Sequence, residues 1–333
     1  MELNSAMALN DDIFSDKIES IPTREGMGKA LVEIAEKDEK VFCVTADVAE
    51  SVRVHYFAQK FPNRFIQCGV AEQNMAGVAA GLAYAGKKVF MAAYGVFNPG
   101  RNYDQIRVAI CYANADVKVI ASHTGLTVGP DGATHQALED IGLMRGLPRM
   151  CVIYPSDSIQ AYKATYGIYE KYGPCYLRLS REKMPVFTTI ETPFKIGKAN
   201  VLVFGEDVSI IATGPLVYEA LQAAKSLEDY GIRAEVIDCS TLSYSDFDKE
   251  TIIKSAKKTG KVVTVEEHQI VNGLGSAIAE VLSESYPTRL LRIGMPMKFG
   301  ESGEGIELLK HYGLWRNSIA EKVKKFVLGE VNS

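Results

Sequence analysis

The feature of this sequence that most constrains its fold is a regular alternation of short β-rich runs with amphipathic helical stretches, beginning at Thr23. In the first half, β-rich runs bounded by turn residues occur at Val41–Thr45, Val89–Ala92, Val117–Ser122, Met150–Tyr154 and Cys175–Leu179. Helical patterns lie between them at Met27–Lys37, Glu72–Tyr84, Tyr103–Tyr112 and Ser158–Tyr172. Strands that alternate with helices of ordinary length predict βαβ units and a mainly parallel sheet covered on both faces.

A second α/β series follows a looser, threonine-rich stretch with two prolines, which is typical of a connector. Its strands are predicted at Val201–Phe204, Val208–Thr213, Ala234–Asp238, Lys261–Glu266 and Arg289–Ile293. Its helices are predicted at Leu216–Tyr230, Gly275–Ser285, Ile306–Tyr312 and Asn317–Leu328. We therefore expect an α/β protein with two doubly wound, mainly parallel-sheet domains. The expected division is a flexible N-terminal arm (1–21), a first domain (22–185), a linker (186–199) and a second domain (200–330).

Composition excludes several classes of function. The chain has 47% hydrophobic and 23% charged residues, as a globular protein does, and its net charge of −4 argues against nucleic acid or an anionic membrane as the main partner. No apolar run approaches the roughly 20 residues that span a bilayer, and the polar, acidic N-terminus lacks the apolar core of a signal peptide. Six scattered cysteines without a C-x-x-C pair indicate buried thiols in a reducing compartment, so we expect a cytoplasmic protein.

Three segments of the first domain contain acidic and histidine side chains that can take part in binding or catalysis. Asp47 follows the first strand, Glu72 begins a helix rich in alanine and glycine, and His123, Asp131 and His135 share one glycine-rich loop. Taken singly, these residues have structural explanations, because acids commonly cap or begin helices and loop histidines are often solvated. Ligands bind at the carboxyl ends of the strands in doubly wound sheets. The grouping of these residues after such strands therefore predicts a binding site.

These segments resemble the pyrimidine-binding domain of the transketolase family, and the second α/β series resembles the C-terminal domain of that family. The resemblance covers roughly residues 22 to 330 and includes several separated motifs in the same order. It implies a thiamine-diphosphate enzyme, a transferase that moves a two-carbon ketol unit from a ketose phosphate to an aldose phosphate.

The resemblance also implies which residues bind the cofactor. In the family, a glutamate in a Gly-Val-x-Glu context hydrogen-bonds N1′ of the aminopyrimidine and so activates the cofactor; here that residue is Glu72. Phe97 is expected to stack on the pyrimidine and Tyr94 to line the pocket, the alternative being that both are plain core residues. Asp47 is expected to fix the cofactor, with Val48 as the apolar prop beneath it.

Further residues match those that bind the sugar in the family. His135 and Asp131 correspond to residues that bind the hydroxyls of the ketose donor, and His135 is expected to assist proton transfer. The group expected to bind the sugar phosphate consists of Arg24, Ser51, His123 and Arg181. Arginine suits this role because its guanidinium is always charged and binds phosphate with two donors.

The chain lacks two motifs of the family, Gly-Asp-Gly and a later Asn-Asn, which hold the diphosphate and its divalent metal. The chain begins about where the second domain of a full-length transketolase begins. The resemblance is therefore to the C-terminal half of a split enzyme. We expect a partner, an N-terminal transketolase subunit with both motifs, which binds most of the Mg²⁺ (or Ca²⁺) in an α2β2 heterotetramer. No metal site is expected in this chain.

Three alternatives remain open. The β subunit of a 2-oxo-acid dehydrogenase has similar length and architecture, but its substrates lack the distal phosphate that the arginines would bind. A deoxyxylulose-phosphate-synthase-like enzyme shares the Ala-Glu-Gln context of Glu72. A degenerate domain that only scaffolds a partner is disfavoured, because the glutamate and both histidines are present. The sequence leaves the donor and acceptor sugars open, and with them the choice between the pentose phosphate route and a specialised pathway.

Overall fold

The computed structural model describes residues 1–330 as an α/β protein with two six-stranded sheets and a two-stranded ribbon. The strands are β1 (Glu2–Leu3), β2 (Ser20–Ile21), β3 (Val41–Thr45), β4 (Phe65–Gln67), β5 (Lys88–Tyr94), β6 (Val117–Ser122), β7 (Cys151–Ile153), β8 (Cys175–Arg178), β9 (Met184–Pro185), β10 (Asn200–Phe204), β11 (Val208–Ala212), β12 (Ala234–Asp238), β13 (Lys261–Gln269) and β14 (Arg289–Met295). The helices are α1 (Thr23–Lys37), α2 (His55–Lys60), α3 (Glu72–Tyr84), α4 (Tyr103–Gln105), α5 (Asp140–Arg145), α6 (Ser158–Glu170), α7 (Leu216–Leu227), α8 (Lys249–Thr259), α9 (Leu274–Ser285), α10 (Gly305–His311) and α11 (Arg316–Leu328).

The first sheet is parallel throughout, with strand order β4-β3-β5-β6-β8-β7. One face is covered by α1 and α6, whose buried apolar residues include Met27, Leu31 and Ala161. The other face is covered by α3 and by the segment after α4, through residues such as Met75 and Ile106. Burial on both faces explains why these strands read as nearly continuous apolar runs, and it confirms the predicted doubly wound architecture.

The second sheet has the order β1-β10-β12-β11-β13-β14 and is parallel from β12 to β14. The pairs that β10 makes with β1 and β12 are antiparallel, so this sheet is mainly parallel, as predicted. Seven elements of the structure were not predicted from local patterns: β1, β2, β4, β9, α2, α5 and α8. None of the helices within residues 1–330 is both long and apolar enough to cross a bilayer.

The prediction of a flexible arm at residues 1–21 requires correction. Strand β1 pairs with β10, with Glu2 opposite Phe204, and the N-terminal ammonium of Met1 forms an ion pair with Glu228. Farther along, Ile13 is only 2% exposed and packs into the core of the second domain. The apolar residues of this segment are too widely spaced to show the period of a helix or a strand, so the sequence did not predict order here. Their burial against the second domain orders the segment.

The segment after α4 also differs in detail from its prediction as one helix. It continues as a π-helix over Ile106–Tyr112, so its hydrogen bonds span one residue more than those of an α-helix. All six cysteines are free thiols, and Cys68 is the one that is not fully buried.

Candidate active site

The predicted site residues lie at the carboxyl edge of the first sheet. Asp47 follows β3 closely, with φ of +61°, and its main-chain N–H donates to Gln67 Oε1 at 2.7 Å. Its side chain is exposed, whereas the neighbouring Val48 is half-buried against the core. The left-handed backbone, which Asp tolerates better than most residues, turns the chain away from the sheet at this point. Asp47 is therefore a solvent-exposed residue at the carboxyl edge of the first sheet.

Glu72 is the first residue of α3, and only 3% of its side chain is exposed. Its Oε2 accepts a hydrogen bond from Arg101 Nη1 at 2.9 Å, and its main-chain carbonyl accepts one from Asn102 Nδ2 at 3.3 Å. The helix N-terminus and the guanidinium both place positive charge beside the carboxyl group. Arg101 was not among the predicted site residues, although it stands four residues after Phe97 in the loop that follows β5.

Four rings form a contiguous aromatic cluster beside this carboxyl group. Tyr94 stacks on His123 with ring centroids 4.0 Å apart and planes 17° apart. Phe97 meets His135 edge to face, with centroids 5.4 Å apart. The guanidinium of Arg101 lies 4.5 Å from the centre of the Phe97 ring. The same guanidinium binds Glu72, so Arg101 links the acid to the Phe97 ring.

The basic part of the site centres on Arg24, from the first turn of α1. Its Nη1 lies 2.9 Å from His123 Nε2 and 3.1 Å from the main-chain oxygen of Ser51. Burial, and then the charges of Arg24 and Arg181, lower the pKa of His123 to about 3. Arginine can only donate, so His123 Nε2 is the acceptor and its Nδ1 carries the proton toward Ser122 Oγ, 3.1 Å away.

The glycine-rich loop that contains both predicted histidines is called here the histidine loop (residues 123–135). It runs as an irregular 3-10 segment with positive φ at Gly129 and Gly132. Arg181 Nη1 donates to the carbonyl of Val128 within this loop. His135 Nδ1 lies 2.9 Å from Thr134 Oγ1 at the end of the same segment.

The structure thus brings most of the predicted residues together. Tyr94, Phe97, His123 and His135 share one cluster, Arg24 joins it to the main chain of Ser51, and Arg181 contacts the same loop. Asp131 is exposed and offers its main-chain carbonyl to Thr134. Tyr94 and Phe97 are both partly buried, and Tyr94 also packs against the core on the α1 side of the sheet.

Fold and site together define a mainly parallel α/β protein with a buried acid, an aromatic cluster and two arginines at one sheet edge, an arrangement suited to an anionic small molecule. Comparison with known proteins identifies the family of each half of the chain. The family described as transketolase, pyrimidine binding domain, matches residues 19–186, and the family described as transketolase, C-terminal domain, matches residues 197–319.

Relatives align over nearly the whole chain. A putative transketolase C-terminal section from Methanocaldococcus jannaschii is 45% identical over 90% of this chain and 94% of its own length. One subunit of an apulose-4-phosphate transketolase from Phocaeicola vulgatus is 37% identical over 92% of this chain and 98% of its own length. A solved structure of a split gene transketolase, described as an inactive beta4 tetramer, superposes with a TM-score of 0.86 at 43% identity, covering 92% of this chain and 99% of that one.

The chain therefore belongs to the transketolase family. It corresponds to the C-terminal half of these enzymes, a pyrimidine-binding domain followed by a C-terminal domain. This confirms the resemblance inferred from the sequence, and it identifies the protein as one chain of a transferase that needs a partner chain.

Proposed function

We propose that this chain is the C-terminal subunit of a thiamine-diphosphate-dependent transketolase that moves a two-carbon ketol unit from a ketose phosphate to an aldose phosphate. The observation that carries the proposal is the position of Glu72, a buried acid that Arg101 links to the Phe97 ring. A basic cluster lies at the same sheet edge, across the adjoining Tyr94–His123 stack.

The residues at this edge suit the aminopyrimidine part of the cofactor. A buried carboxyl group can hydrogen-bond a ring nitrogen, and an aromatic face can stack on a flat heterocycle. We assign the hydrogen bond to N1′ to Glu72 and the stacking to Phe97, with Tyr94, Asp47 and Val48 bordering the pocket. Thiamine diphosphate, when bound, supplies the nucleophile for ketol transfer. The role of Glu72 is to hold a proton at N1′, which a carboxyl can do and an amide cannot.

The donor sugar is assigned to the histidine loop and the arginines. His135 and Asp131 would bind donor hydroxyls, and His135 would move a proton at one of them. Arg24 and Arg181 would bind the phosphate as charged donors. We assign His123 and Ser51 a supporting role, since the neutral His123 ring and the Ser51 carbonyl both accept hydrogen bonds from Arg24 and so orient it.

A partner chain completes the enzyme in this proposal. The diphosphate and a divalent ion, Mg²⁺ or Ca²⁺, would be held mainly by an N-terminal subunit with Gly-Asp-Gly and Asn-Asn motifs in an α2β2 assembly. Relatives named as a C-terminal section and as one subunit of a transketolase support this division of the enzyme. The arginine cluster favours a phosphorylated donor over the unphosphorylated substrates of a 2-oxo-acid dehydrogenase.

The test is reconstitution. The chain is assayed for ketol transfer between phosphorylated sugars with thiamine diphosphate and magnesium, alone and after co-purification with an N-terminal transketolase subunit. We expect activity in the complex and none in the isolated chain. Full activity of the isolated chain would refute the split-enzyme proposal, and an inactive complex across a panel of donors would refute the assigned reaction.

A further inference from the structure

The histidine loop is held by the second domain as well as by the first. Gln136, just after the loop, donates through Nε2 to the carbonyl of Glu301 at 2.9 Å. A Cβ on Gly132 would lie 2.3 Å from Ser302 Oγ, and one on Gly129 would lie 3.3 Å from the carbonyl oxygen of Gly303. The loop therefore fits closely against the segment before α10, and its shape depends on a domain that contributes none of the assigned site residues.

The most direct of these contacts comes from Glu267, on β13. Its Oε1 accepts the main-chain N–H of Thr127 at 2.7 Å, and its carboxylate lies against Gly125, where a Cβ would be 2.4 Å from that same oxygen. Gly125 has φ of +76° and stands two residues after His123. A carboxylate in this position fixes the path of the loop immediately beside the stacked His123 ring.

Glu267 is itself fixed from the other side. Its Oε2 accepts the hydroxyl of Tyr154 at 3.2 Å, so both side-chain oxygens of Glu267 have a hydrogen-bond donor. The guanidinium of Arg178 lies 4.3 Å from the centre of the Tyr154 ring and donates to the main-chain oxygens of Glu267 and Ala137. Burial raises the pKa of Glu267, and the charge of Arg178 opposes that rise.

We propose that Glu267 is a positioning residue for ketol transfer: its carboxylate, fixed by Tyr154, holds the histidine loop in the conformation that presents His135 to the donor and keeps His123 against Arg24. The dependence of the loop on Glu267 stands on geometry alone, whereas the consequence for the donor rests on the proposed function. This gives the second domain a defined task at a site to which it contributes none of the assigned residues.

The same strand provides a matched control. Glu266 is also a buried carboxylate with both oxygens accepting N–H groups, at 2.6 Å from Leu274 and 2.8 Å from Gly275, but these belong to the start of α9. Glu266→Gln therefore changes an equivalent buried carboxylate without touching the loop. Tyr154→Phe removes only one hydroxyl partner of Glu267 and keeps the ring in place, so it provides a milder second variant.

The first measurement is hydrogen–deuterium exchange on the full chain, followed in peptides that cover 124–135 and the start of α9. A hydrogen bond to a charged group is stronger than one to a neutral group, so Glu267→Gln is expected to accelerate exchange near Thr127 about tenfold. Tyr154→Phe should accelerate it about threefold. Glu266→Gln should accelerate exchange at α9 and leave the loop at the wild-type rate.

The second measurement is donor kinetics in the complex with the N-terminal subunit. Glu267→Gln is expected to raise KM for a phosphorylated ketose about tenfold, with Glu266→Gln near the wild-type value. Wild-type loop exchange in Glu267→Gln, equal loop effects of both variants, or accelerated exchange with unchanged donor kinetics would overturn the proposal. An inactive wild-type complex would refute the proposed function alone, because exchange decides the dependence of the loop on Glu267 without turnover.

Discussion

Replacing Arg178 by Met should destabilise the protein strongly, because it leaves a buried carboxylate without its counter-charge. Arg178 is fully buried, and its Nε donates to Asp140 Oδ2 at 2.7 Å. Asp140, with 2% of its side chain exposed, would retain the hydroxyl of Tyr176 at 2.6 Å as its partner. Breaking a buried ion pair by removing one partner costs about 3–5 kcal/mol. The loss of the donors to Ala137 and Glu267 acts in the same direction.

A double-mutant cycle separates the cost of leaving the buried Asp140 carboxylate unpaired from the cost of the packing lost with Arg178. Arg178→Met combined with Asp140→Asn removes both charges, so it should be more stable than the sum of the two single effects by about 1–3 kcal/mol. The assay is urea unfolding monitored by far-ultraviolet circular dichroism. The comparison requires that the unfolding free energy depend on urea concentration with the same slope in all variants. A cost below about 1 kcal/mol for Arg178→Met, or strict additivity of the pair, would contradict this account of the buried ion pair.

Two further predictions concern the basic part of the site. Arg181→Ala should raise KM for phosphorylated donors about tenfold or more and leave unphosphorylated ones nearly unchanged; the exposed neighbour Lys183→Ala is the control, and equal effects on both donors would show that Arg181 does not bind phosphate. Because the pKa of His123 is lowered to about 3, its neutral ring is compatible with the fold above pH 6.5, and stability is lost as pH falls from there toward 3. His123→Asn should therefore flatten the fall in unfolding free energy between those limits, whereas parallel pH profiles for wild type and variant would contradict a neutral buried ring.

Much of the fold was predictable because the local signals were complete. The strands Val41–Thr45 and Val117–Ser122 and the helix Glu72–Tyr84 have the predicted bounds. Their apolar runs are long, and each is bounded by turn residues. By contrast, β4 is three residues long and only partly buried, so it offers no periodicity. The N-terminal segment is ordered by contacts with residues about 200 positions away, such as the pairing of Glu2 with Phe204, which no local pattern contains.

The site divides in the same way. Glu72, His123 and His135 were predictable because each stands in a short motif, Glu72 at the start of a helix and the two histidines in a loop after a strand. Arg101 lies in the segment after β5 in which the sequence indicated a role only for the aromatic residues Tyr94 and Phe97. Its pairing with Glu72 depends on how this segment folds back. Glu267 lies 140 residues from Thr127, its main-chain partner, so only the packing of the two domains reveals the contact.

Whether Glu72 activates the cofactor is decided by Glu72→Gln in the reconstituted complex. The amide keeps the size of the side chain but cannot hold the proton at N1′, so turnover should fall about 10²–10⁴-fold. Asp104→Asn, an exposed acid on α4, is the control and should keep the wild-type rate. Near-normal ketol transfer by Glu72→Gln, in a complex that binds thiamine diphosphate as the wild type does, would contradict the account.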